Sequence, residues 1–169
     1  MAEKKQTKTS EPSEEQREQK KEKTTEKENK SIVVIRIKGR VGIRRKIAEG
    51  LNRLGLKTKY SCVVLKGTEA EKGVLKNLRD YIAYGEIKKE DFKKLLESRS
   101  KVVNGNEKKP SPEEVIKGFE QGKKLKEMNV NPVFRLHPPR KGIESKQRYP
   151  QGVLGNHSEK INELLKRML

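Results

Sequence analysis

SIVVIRIKGRVGIRRKIAEGLNRLGL, residues 31–56, changes within a few positions from one hydrophobic period to another. Ile32-Val33-Val34-Ile35-Arg36-Ile37 is a β-branched run closed by Gly39, which reads as a strand. Val33, Ile35 and Ile37 share one face, and Val34, Arg36 and Lys38 the other. After the loop Gly39-Arg40-Val41-Gly42, the residues Ile43, Ile47, Leu51 and Leu54 recur at helical spacing, with Gly55 as the stop.

Working outward, a second strand is predicted at about Thr58–Leu65, with Tyr60, Cys62 and Val64 on one face. Gly67-Thr68 makes a turn, and a helix then runs through Val74, Leu78 and Ile82 at four-residue spacing. Strand, helix, strand, helix reads as a right-handed βαβ unit with a further helix. One more strand would close a three-stranded α+β sheet with both helices on one face. The candidate is Pro132–His137, a short edge strand between prolines, with Phe134 and Leu136 facing one way and Val133, Arg135 and His137 the other.

Residues 85–130 read as a helical insertion. Phe92, Leu95 and Leu96 mark one helix, and Ser111-Pro112-Glu113-Glu114 starts another whose apolar face is Val115, Ile116 and Phe119. Val102-Val103-Asn104-Gly105 resembles a short strand entering a tight turn. Asn156 and Glu159 form a capping pair before Ile161, Leu164, Leu165 and Met168, a C-terminal amphipathic helix. Residues 1–30 hold no bulky apolar side chain after Met1 and are expected to stay a disordered charged tail. The folded unit is then 31–169: a core from 31–84 and 131–142, the insertion, and a basic segment with a helix over 143–169.

Charge narrows the function. The chain carries a net +18, and residues 1–30 contribute only +1 of it, nine Lys/Arg against eight Glu. A fixed cationic surface selects a polyanion, because neutralising phosphates releases condensed counterions. Nucleic acid is the first candidate partner and an anionic membrane the second. No apolar run approaches the roughly 20 residues that span a bilayer, and the absence of Trp argues against an interfacial anchor. Cys62, the single cysteine, allows no internal disulfide or cysteine-based zinc site and reads as a core residue in a cytosolic chain.

If both helices cover one side of the sheet, the other side exposes Arg36, Lys38, Arg135 and His137. Arg40 sits on the first loop, and Arg44, Arg45 and Lys46 at the start of the first helix. There the macrodipole disfavours cations, and an external anion would relieve the conflict. The segment from Phe134 on adds Arg140, Lys141, Lys146, Arg148 and Tyr149, with prolines holding the backbone extended. Arg forks onto phosphate, and Tyr149 and His137 can stack on splayed bases. His137 has no orienting carboxylate nearer in sequence than Glu144, so catalysis is not expected. No cofactor, metal or small-molecule substrate is expected either.

These residues carry a family resemblance. Ile35-Arg36-Ile37-Lys38-Gly39-Arg40, Ile43-Arg44, Leu51, Leu54-Gly55-Leu56, Thr68, Gly73-Val74-Leu75, Leu78 and Tyr81-Ile82 resemble ribosomal protein thirty of the large subunit. Tyr84-Gly85-Glu86-Ile87, the block Pro132–Gly142 and the ending Glu159–Leu169 look like its long archaeal form, related to eukaryotic ribosomal protein seven. The resemblance implies a ferredoxin-like βαβαβ core and binding to large-subunit ribosomal RNA, near the 5S RNA and neighbouring ribosomal proteins. It puts Gly39, Arg40, Arg44 and Arg45 on the RNA-facing loop and helix start. Lys66–Lys72 departs from the proline-bearing turn of that family. The alternatives are a non-ribosomal RNA chaperone and an RNA-processing factor using His137.

Overall fold

The computed structural model describes residues 31–103 and 110–169. The expected disordered tail and the Asn104-Gly105 turn lie outside them. The element order is β1 (Ile32–Arg36), α1 (Arg45–Arg53), β2 (Ser61–Leu65), α2 (Glu69–Leu78), β3 (Ile82–Glu86), α3 (Lys89–Arg99), α4 (Pro112–Glu120), β4 (Val133–Arg135), β5 (Gly155–Asn156) and α5 (Ile161–Met168). The strands form one sheet in the order β4-β2-β1-β3-β5. The α+β class with a βαβαβ core stands.

Two details of that core differ from expectation. The third core strand is β3, not the proline-flanked block, which instead adds β4 at the sheet edge beside β2. Leu78 and Ile82 were ambiguous because a separation of four fits the helical period and is also twice the strand period. Both residues enter the same core cluster, so either reading buries them. The chain leaves the helix at Arg79, and residues 82–86 pair antiparallel with β1 from Arg36↔Ile82 to Ile32↔Glu86. Second, β1 and β2 are antiparallel rather than the parallel pair of a right-handed crossover, because the connections 37–44 and 54–60 on either side of α1 bring the chain back to the end it left. The second strand also starts later than expected. Ser61 N–H donates to Thr58 O, and the two hydroxyls lie 2.7 Å apart, so Thr58–Tyr60 is a turn.

β1 is buried at every position, the pattern of a central strand covered on both faces. On one side Ile32, Val34, Val63 and Ile82 pack with Leu51, Leu56, Leu75 and Leu78 from α1, α2 and the turn after α1. On the other, Val33, Ile35, Ile37, Cys62 and Val64 pack with Phe92, Leu95, Val115, Phe119, Ile161 and Leu165 from α3, α4 and α5. The two core helices do share one face. The opposite face is not open, because the insertion and the C-terminal helix close it. Leu51→Ala and Leu78→Ala remove fully buried side chains (0% and 3% exposed), so each is expected to lower the unfolding free energy in urea by about 2–5 kcal/mol.

Local chemistry sets the helix ends. At the end of α1, Leu56 N–H donates to Leu51 O and Gly55 N–H to Asn52 O, the paired bonds of a Schellman motif, with Gly55 at φ 81°. Thr68 and Glu71 make a reciprocal capping box on α2, and the Ser111 hydroxyl accepts from Glu114 N–H with Pro112 opening α4, as expected. Asn156 does not cap α5: its side-chain Oδ1 accepts from Ser158 N–H, and a 3-10 turn over Ser158–Lys160 intervenes.

The docking of α5 needs a glycine on β3. A Cβ at Gly85 would lie 2.2 Å from Ser158 O and 3.0 Å from the Ile161 side chain. The first neighbour is backbone and cannot swing aside. Gly85→Ala is expected to cost at least the roughly 1–3 kcal/mol of overpacking. Faster amide exchange in residues 158–168 should accompany that loss, and an unchanged denaturation midpoint would refute it.

Candidate nucleic-acid interface

The strand directions gather one set of chain segments at a single end of the sheet. β1 finishes there, its antiparallel partners β2 and β3 begin there, and β4, antiparallel to β2, finishes there. Backbone bonds knit the segments together. Lys38 N–H donates to Tyr81 O, Tyr60 N–H to Arg36 O, Leu136 N–H to Tyr60 O and His137 N–H to Met168 O. Residues distant in sequence thus present side chains from one rim. Lys38, Arg135 and His137 come from it, and Arg40 follows within two residues of Lys38.

Arg36 does not belong to that surface. It is 2% exposed and points into the α1–α2 side of the sheet. Its guanidinium donates to Lys38 O (3.0 Å), Leu56 O (2.6 Å), Lys57 O (3.1 Å) and Gly39 O (2.8 Å). The Schellman turn after α1 delivers two of those carbonyls. Burial, with the charge of Arg40, holds the Arg36 pKa below the ordinary arginine value. Four of the five N–H groups of the guanidinium are used in this way, so it organises the loop instead of facing solvent.

The remaining predicted cations fall into two groups. Arg40, Arg44, Arg45 and Lys46 are exposed along the loop and first turn of α1, which carries no acidic residue in that turn. Arg45 bonds Glu49 at 3.2 Å with its side chain 93% exposed, a pair that solvent weakens. Lys38 is half-buried, its Nζ 5.5 Å from the Tyr81 ring centroid. The second group follows β4. Arg140 and Lys141 are exposed, and the Arg167 guanidinium donates to Arg140 O and Gly142 O, fixing this segment against α5. Lys146 is exposed on the next stretch.

Arg148 and Tyr149 are already engaged within the protein. Arg148 donates to both Asp80 oxygens, at 2.7 and 3.2 Å, which locks the basic segment to the start of β3. That hydrogen bond, helped by the charges of Arg148, Arg79 and Lys38, keeps the Asp80 carboxyl below the usual range and raises Arg148. Tyr149 is not an open stacking surface. Its ring lies 4.6 Å from that of His157, with Lys160 Nζ 5.9 Å away on the ring. Three cations of this end escaped the sequence reading: Lys57, Lys59 and Arg79, all exposed. Each lies a few residues ahead of β2 or β3, but Lys59 was expected inside a strand and Arg79 inside a helix, so only the observed strand starts place them at this end.

His157 offers a pH test of how the basic segment is held. It is buried at 7% exposure, and its Nε2 lies 2.9 Å from Val153 O. Burial holds its pKa below the ordinary value, against the opposing bond to Val153. The neutral ring therefore stabilises the folded state fully above the unfolded pKa of about 6.5, and that stability drains away as pH falls toward the folded value. The denaturation midpoint is expected to drop between pH 7.5 and 5.5. His157→Gln should reduce that drop; an equal drop in the variant would contradict the assignment.

The described residues contain no cluster of His, Cys, Asp or Glu suited to a metal ion. No described helix is long and apolar enough to cross a membrane. A family model described as Ribosomal protein L30p/L7e matches residues 32–82, from the start of β1 to the start of β3. Large ribosomal subunit protein uL30 of Archaeoglobus fulgidus is 43% identical over 149 residues, covering 80% of this chain and 97% of that protein. The proteins of the same name from Methanosphaera stadtmanae and Methanococcus maripaludis are 36% and 37% identical, covering 80% of this chain and 98% and 97% of theirs. Identity at that level across nearly the full length of archaeal relatives, on a βαβαβ core with a common basic rim, leaves one assignment: the chain belongs to the L30p/L7e family of ribosomal proteins.

Proposed function

We propose that this protein is a structural constituent of the large ribosomal subunit and binds ribosomal RNA through the basic end of its sheet. The observation that carries the reading is the convergence of Lys38, Arg40, Arg135 and His137, from separate parts of the chain, on one rim. Phosphate contacts fall to these residues and to Arg44, Arg45, Lys46, Arg140, Lys141 and Lys146. Such contacts position RNA without reading its bases. The protein is a scaffold rather than a catalyst, and it works on the cytoplasmic ribosome, beside other ribosomal proteins and near the 5S RNA. Residues 31–169 act as one RNA-binding unit, with residues 1–30 a charged tail outside it.

The test is sedimentation of the full chain with large subunits at moderate salt. Co-migration at one copy per subunit is expected, whereas a chain confined to the free soluble fraction would falsify the proposal. Equal affinity for duplex DNA and ribosomal RNA would instead favour a non-ribosomal chaperone, since the 2′-hydroxyl and the A-form shape would go unread.

A further inference from the structure

Beside the basic end, a cavity of about 390 Å³ opens between the C-terminal end of α3 and the approach to β4. Its walls include Ser98, Arg99, Ser100, Lys101, Asn131 and Arg135, and no carboxylate lines it. Other cavities differ in this respect. The one beside Tyr149 and His157 includes Glu144 and Glu163, and the groove between α1 and α2 includes Glu49. We infer that the cavity at the edge of β4 holds a phosphate of the RNA backbone. This inference rests on the ribosomal RNA reading above and extends that interface around the outer strand of the sheet.

The walls are tied in place before any ligand arrives. Asn131 N–H donates to Lys101 O at 2.9 Å, joining the two sides, and Arg99 is anchored by a 2.8 Å bond to Leu169 O. The reachable charged donors of the wall are therefore the side chains of Lys101 and Arg135. Lys101 and Arg135 are exposed, and neither makes an ion pair among the described residues. The carbonyl end of α3 opposes an anion with roughly half a negative charge, but the full charges of Lys101 and Arg135 outweigh it. β4 is the outermost strand, so nothing in the sheet covers this edge. The hydroxyls and the amide supply neutral donors of the kind that contact phosphate oxygens.

The test uses the full chain and deproteinised large-subunit ribosomal RNA, with affinity followed from 50 to 200 mM salt. Lys101→Gln is the variant, because the Lys101 side chain is exposed and holds no other element, and the substitution leaves its backbone carbonyl bonded to Asn131. Its salt slope should be shallower by about one, so the affinity lost over that range is ~3.5-fold smaller than for the wild type. Lys94→Gln, on the exposed side of α3, should keep the wild-type slope, and Lys101→Arg should restore it. A wild-type slope for Lys101→Gln overturns the inference. Normal binding to free RNA combined with loss from intact subunits also overturns it, in favour of an acidic protein surface. A wild-type protein with no steep salt dependence would instead defeat the underlying ribosomal RNA reading.

Discussion

Replacing Arg40, Arg135 and Arg140 together with glutamine is expected to flatten the salt dependence of RNA binding without unfolding the protein. If the wild-type rim engages about six phosphates, its affinity falls ~10³-fold between 50 and 200 mM salt at the duplex slope. Removing three of those contacts leaves a fall of only ~40-fold by the same slope. The three side chains are exposed, so the unfolding free energy should move by no more than roughly 0.5 kcal/mol per site. The two readouts separate recognition from folding. A triple variant that keeps the wild-type slope would mean that these cations only solubilise the surface.

Arg36 is expected to behave in the opposite way. Arg36→Ala leaves the carbonyls of Leu56, Lys57, Gly39 and Lys38 without their donor. Bonds to a charged group are worth roughly 1.5–3 kcal/mol each, so losing the two short ones to Leu56 and Gly39 should cost about 3–6 kcal/mol. Arg36→Lys should recover little, because an ammonium cannot reach carbonyls on two sides of a planar fork. The urea midpoint should fall sharply, while the folded fraction binds RNA with the wild-type salt slope. A normal midpoint with weakened RNA binding would put Arg36 back on the interface.

Those contrasting arginines mark where local reading stops. An arginine alternating with apolar residues on a strand reads as solvent-facing, since burying a charge is costly unless its donors are met. Here the acceptors come from the turn at Leu56 and Lys57, twenty positions away. One clue was present: Ile32-Val33-Val34-Ile35 is apolar at four successive positions, which requires cover on both faces. Read that way, an open sheet face displaying Arg36 would have been excluded. Arg148 poses the same difficulty, its partner Asp80 being 68 residues distant. The tilted contact of Tyr149 with His157 likewise has no pattern in the flanking residues.

By itself, the order of amino acids determined the strands β1 and β2, the helix between them with its glycine stop, the Ser111 helix start, the family, and the excess of cations in residues 31–169. These follow from side-chain period, capping chemistry and composition, which act over a few neighbouring residues. Only the tertiary structure decided that β3 rather than the proline-flanked block completes the core, that both faces of the sheet are covered, and which cations remain free to meet a phosphate. Those outcomes depend on which distant carbonyl, carboxylate or ring lies opposite each side chain, and packing alone sets that.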